Sequence, residues 1–254
     1  MSAFVDHPAT MFVVLLVVFA LAIAFGASVL RRFLKLSGEE RDDFNIVQTS
    51  TLTLLALLIG FTLSMAVNRY DQRKNLEENE ANAIGTEYAR ADVVDAAVGA
   101  RIKTELVHYA QLRREHFQTR DPGELARVDR ATTQSQTELW RLATQVAKDQ
   151  PTPIGAAVMT GMNDVLNSQD YSEAALENRI PRGAWVLMIM IAMLACAVQG
   201  YGAKGHIRRG LLVVILPVTV ALSLTLIADI DSPRGGFILV QPQNLTRLLR
   251  SLGT

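Results

Sequence analysis

Four runs almost free of charge constrain what this chain can fold into. They extend from Pro8 to Leu30, Phe44 to Val67, Ala184 to Ala203 and Gly210 to Ala228. Each is about the 20 residues an α-helix needs to cross a bilayer core of roughly 30 Å. Half of the 254 residues are hydrophobic, and 25 basic residues balance 25 acidic ones. Most charges fall between the second and third runs, so the net charge of zero averages two unlike regions and points to no nucleic-acid partner. The pattern predicts an all-α membrane protein with four transmembrane helices. Its expected parts are a first transmembrane hairpin (1–68), a helical extramembrane insert (69–182), a second hairpin (183–230) and a tail with an amphipathic helix (231–254).

Charge around the runs bears on orientation. The amino-terminal tail carries Asp6 and no Lys or Arg, whereas Arg31, Arg32 and Lys35 follow the first run, a pattern opposite to that of a secretory signal. The loop after the third run holds Lys204, Arg208 and Arg209 without an acid. Both short loops are basic, which places them in the cytoplasm and puts the insert and both termini on the other side. Arg69, Arg73, Lys74, Arg179, Arg182 and Arg234 flank that other face and oppose this placement.

The insert reads as amphipathic helix. Val94, Val98, Ile102, Leu106 and Tyr109 recur at helical spacing, with charges on the other faces. Asp121-Pro122 supplies an N-cap and a first-turn proline for a second helix through Leu125, Val128, Leu139, Leu142 and Val146. Gln150-Pro151-Thr152-Pro153 ends it. A third helix is expected from Ile154 to about Leu166, a short fourth from near Ser172, and Ile180-Pro181 leads back to the membrane. In the tail, Leu245, Leu248, Leu249 and Leu252 form one apolar stripe, with Arg247 and Arg250 off it, that should dock on protein or lipid.

Chemistry-bearing motifs are absent. The lone Cys196 lies in the third run, which excludes an internal disulfide or a cysteine-based zinc site. His7, His108, His116 and His206 are scattered; His108 with Glu105, and less readily His116 with Glu115, are the nearest to a pair on one helix face, and a solvated surface explains them. No nucleophile elbow, phosphate loop or dinucleotide fingerprint occurs, so enzymatic activity and a cofactor have no support. The centres of the runs hold no ionisable residue, which argues against a proton motor or carboxylate-coupled transporter. Asp229 and Asp231, at the end of the fourth run, are the only weak candidates for a metal.

The second run carries the most information. At four-residue spacing, Thr53, Leu57, Phe61 and Met65 form a stripe that continues to Arg69, which ordinary helix packing would also explain. The segments Gly60-Phe61-Thr62-Leu63-Ser64-Met65-Ala66, Arg69-Tyr70-Asp71-Gln72-Arg73 and Glu80-Ala81-Asn82-Ala83-Ile84-Gly85-Thr86 resemble the bestrophin-like family of bacterial membrane proteins. Asp229-Ile230-Asp231-Ser232-Pro233, with Gly236 and Val240, adds to the likeness.

The resemblance implies a homo-oligomeric ion channel, a pentamer, in the bacterial inner membrane, passing inorganic ions and leaning to anions such as chloride. It implies that the second helices line the pore. The neck then falls on Thr53, Leu57 and Phe61, and an apolar ring there gates by dewetting. Met65, Asn68, Arg69 and Gln72 become vestibule residues, and Gly60 lets a neighbouring helix approach. Arg69 also reads as a structural residue at the membrane boundary. Among other charges, Arg69 and Arg73 would favour anions, and Glu77, Glu80 and Glu87 cations. Two features depart from the bestrophin pattern: the acidic run that clasps calcium in animal members is reduced to Asp229 and Asp231, and the charge rule places the insert outside. The alternative function is a membrane-anchored sensor or scaffold whose insert binds a ligand or partner.

Overall fold

The computed structural model describes residues 7–33, 40–203 and 207–253, without the side chains of 207–212. The expectations resting on Asp6, Lys35, Lys204 and His206, and on the side chains of Arg208 and Arg209, lie outside the described residues. Among the described residues there is no strand. The helices are α1 (Pro8–Phe25), α2 (Glu40–Arg90), α3 (Ala96–Gln118), α4 (Pro122–Asp149), α5 (Pro153–Glu177), α6 (Arg182–Gly202), α7 (Ile207–Asp231) and α8 (Gln243–Ser251). Among the described residues four helical stretches are long and apolar enough to cross a membrane, Pro8–Phe33, Glu40–Val93, Pro153–Gly202 and Val213–Asp231. The chain divides into two compact units, 1–68 with 179–239 and 69–178 with 240–254.

In the first unit α1 is apolar on every side, as a helix between protein and lipid must be. Met11, Leu15, Phe19 and Ala22 are buried, while Val13, Val17, Leu21 and Phe25 are exposed in the chain. A π-turn from Gly26 to Leu30 extends α1. There α1 meets α6 backbone to backbone: a Cβ on Gly26 would lie 1.9 Å from the Ala197 carbonyl oxygen, and one on Gly200 2.2 Å from that of Ile23. Small residues at this crossing let packing replace the hydrophobic drive that lipid removes. Arg31 then donates from Nε to the Tyr201 carbonyl at 2.9 Å and from Nη2 to that of Gly200 at 3.3 Å, capping the end of α6.

The second unit is a helical bundle. Ile84, Ile102, Leu106, Tyr109, Leu139, Leu142, Val158 and Met162 form its core, and Leu245 and Leu249 of α8 complete it. The amphipathic tail thus docks on this unit. Asp121 caps α4 by accepting from the Glu124 amide at 2.8 Å, and Thr152 caps α5.

Two expectations within this unit are corrected. Val94 is extended and belongs to no helix; α2 ends in a 3-10 turn (Ala91–Val93), and α3 starts afresh behind Asp95, whose carboxylate accepts from the amides of Ala97 and Val98. The helices expected at 154–166 and from Ser172 are one continuous α5. The polar residues between them look like a break but find partners inside the bundle. Gln169 Oε1 accepts from Tyr109 Oη at 2.8 Å and from Gln136 Nε2 at 2.9 Å, and its Nε2 donates to Glu173 Oε1 at 2.8 Å.

Candidate ion path on the second helix

The helix α2 is 51 residues long and has two unlike faces. Leu55, Thr62 and Ala66 are buried, as are Arg73, Glu77, Glu80, Ile84 and Glu87 further along. Thr53, Leu57, Gly60, Phe61, Ser64, Met65, Asn68 and Gln72 are exposed. Leu57 is 53% accessible, Phe61 62% and Met65 42%, a large apolar area left uncovered by the described residues. The Thr53 hydroxyl is turned back to the Thr49 carbonyl at 2.9 Å.

The vestibule set is only partly brought together. At 3.6 residues per turn a strict four-residue step drifts by about 40° each time, so the line from Thr53 through Phe61 has curled toward the buried side by Arg69, which is half-buried. A straight continuation passes instead through Ser64 and Asn68. Gly60 lets no helix of this chain approach, because it sits on the exposed face and an added Cβ would meet nothing within 4 Å.

Of the charges expected to compete over ion selectivity, all but Arg69 are turned into the bundle. Arg73 donates from Nε to the Ala175 carbonyl and from Nη2 to that of Asn178, both at 3.0 Å, at the end of α5, where a cation suits the helix dipole. Glu77 Oε1 accepts from the amides of Asn244 and Leu245 at 2.9 Å, and Oε2 from Asn244 Nδ2 at 2.7 Å, so a carboxylate of α2 caps α8. Glu80 pairs with fully buried Arg113, which also reaches Glu173 Oε1 at 3.0 Å. Burial works against the charge on Arg113, and Glu80, Tyr109 and Glu173 outweigh it, so the guanidinium is held ionised. Glu87 is buried with Oε2 3.3 Å from Arg90 and Oε1 unpartnered; burial raises its pKa to about 7, opposed by Arg90 and supported by Asp164.

Asp229 and Asp231 spend their carboxylates on backbone amides. Asp229 accepts from the amides of Phe237 at 2.7 Å and Ile238 at 3.1 Å, and Asp231 from that of Ile180 at 3.0 Å. Gly236 makes the first turn possible, with φ of +86° and no room for a Cβ beside Asp229. These acids organise a loop, and among the described residues no group of three His, Cys, Asp or Glu is placed to hold a metal ion. The histidine pairs also dissolve: Glu105 accepts from Ser135, Glu115 from Arg127, His108 is exposed, and His116 Nδ1 lies 2.8 Å from Asp129.

A family model described as the bestrophin-like domain matches residues 16–245. The chain belongs to the bestrophin-like family. The match takes in all four apolar runs except the first residues of α1, and it includes every residue of the α2 face. Solved structures share the fold. A point mutant of a bacterial bestrophin homologue from Klebsiella pneumoniae is 15% identical with a TM-score of 0.69, over 96% of this chain and 97% of that one. Another structure of the Klebsiella pneumoniae homologue is 16% identical with a TM-score of 0.68, over 96% of each chain. A third, described only as a membrane protein carrying a point mutation, is 14% identical with a TM-score of 0.69, over 96% of this chain and 97% of that one. None of the curated proteins compared matches the sequence.

Proposed function

We propose that this bestrophin-like chain is the protomer of an oligomeric ion channel, a pentamer, whose second helices surround the pore with Thr53, Leu57 and Phe61 as the neck. The observation that carries this reading is the exposed stripe on α2. Leu57 and Phe61 are apolar, belong to a helix able to cross a membrane, and stay exposed among the described residues, while the opposite face of the same helix is buried. Lipid would also accept Leu57 and Phe61; in a ring of copies the same face would run on from the neck through exposed Asn68 and Gln72 into water. The likeness to bestrophin homologues supports the same arrangement.

Its seat is the bacterial inner membrane, with the insert and both termini outside, and its permeant ions are small inorganic ions with a weak lean to anions. Ion flux through liposomes containing the protein should rise when Leu57 and Phe61 are both replaced by Ala, because a wider, less apolar neck wets more readily. Equal and negligible flux in wild type and variant contradicts the reading. A dimer with no axial path would favour the sensor or scaffold instead.

A further inference from the structure

A second pattern on α2 extends the exposed face beyond the neck. Asn68, Gln72, Asn75, Asn79, Asn82 and Thr86 are all exposed. Their spacing alternates four and three residues, a step that keeps to one face of a helix with a drift of only about 20° per seven residues. The line covers about 27 Å at 1.5 Å per residue. Every member is a carboxamide or hydroxyl.

Charge is kept off this line. Arg73, Glu77, Glu80 and Glu87 alternate with it on the opposite face, each buried and each bonded within the bundle. Asp71, Lys74 and Glu78 border it on one edge and are exposed. A solvated helix surface has no need to sort amides from charges in this way, since Lys and Glu serve it as well or better.

We propose that Asn68, Gln72, Asn75, Asn79, Asn82 and Thr86 form a carboxamide ladder that lines the ion path leading from the neck and takes over part of the hydration of small inorganic ions of either sign. The inference rests on the channel reading above and names the chemistry of its path. A carboxamide donates from its NH2 group and accepts at its oxygen, so it can face an anion or a cation by rotating. In a ring of copies each rung repeats around the axis. Such a lining conducts without holding an ion tightly, and it discriminates weakly by charge.

The test uses the full-length protein in planar bilayers under a salt gradient, in the Phe61→Ala background so that the neck is open. The parent should show a reversal potential close to zero, with anions only slightly favoured. Asn79→Asp, and Asn75→Asp independently, should move the reversal potential toward the cation value, and Asn79→Lys should move it the opposite way. Both shifts should shrink at high salt, as screening requires. These substitutions are on an exposed surface, and size-exclusion profiles, expected to match the parent, check that the fold is intact.

Conduction with an unchanged reversal potential in all three variants overturns the ladder while leaving the channel standing. Strong charge selectivity in the parent overturns it as well. No conductance in wild type or in Phe61→Ala removes the channel reading, and the ladder with it.

Discussion

At the scale of single residues, the second unit depends on charges that have been taken out of water and given partners. Glu87 is the one with an incomplete set: one carboxylate oxygen has no partner, and Arg90 reaches the other only at 3.3 Å. Its pKa is raised from 4.5 to about 7. A raised carboxylate pKa means that the native state binds the proton more tightly than the unfolded chain does. The stabilising contribution is therefore full below about pH 4.5 and is lost as the pH rises to about 7. The loss is on the order of 3 kcal/mol. Thermal unfolding of the detergent-solubilised protein from pH 4.5 to 8 should show this decline, and Glu87→Gln should flatten it. An identical pH profile in the variant would mean that Glu87 does not carry it. The presence of Glu87 was legible in the sequence, but its direction was not. Arg73, Glu77, Glu80 and Glu87 look like vestibule charges when only their spacing from Phe61 is counted, and the partners of the first three, on α5, α8 and α3, are too distant in sequence to be foreseen.

At the scale of elements, two glycines on membrane helices show how context decides what a residue does. Gly26 lies where α1 touches α6, and a Cβ there would run into the Ala197 carbonyl oxygen. Gly60 faces open space. Gly26→Ala should destabilise the solubilised protein by about 1–3 kcal/mol, as overpacking does. Gly60→Ala should leave chain stability unchanged or raise it by up to about 1 kcal/mol through helix propensity. Paired melting curves check the contrast, and equal losses would place Gly60 in a packed site. The apolar runs made α1, α2, α6 and α7 readable because lipid demands composition alone, and the Asp121 cap and the Gln150–Pro153 break marked where α4 and α5 start. What the sequence concealed was α5 running unbroken from Pro153 to Glu177. Polar residues that usually signal a loop are satisfied there by the bundle around them, as Gln169 is by Tyr109 and Gln136. Asp95 was a readable cap, obscured because Val94 falls in phase with the stripe that follows it.

At the scale of the whole molecule, the exposed face of α2 and the charge distribution about the membrane make separate claims. For orientation, Gln134 is exposed on α4 and serves as a labelling position. Gln134→Cys should react with a membrane-impermeant thiol reagent on intact cells, while Cys196, buried in α6, stays silent. Labelling only after permeabilisation would put the insert in the cytoplasm. For function, the decisive matter is what covers Leu57 and Phe61, since a closed ring of identical chains can give all its copies the same axial environment. The most direct measurement is a structure of the assembled protein in lipid nanodiscs. A symmetric, five-fold ring is expected, with Leu57 and Phe61 around the axis and Asn68 to Thr86 lining a wider passage. An assembly with those side chains facing lipid, or a dimer without an axial opening, would contradict it.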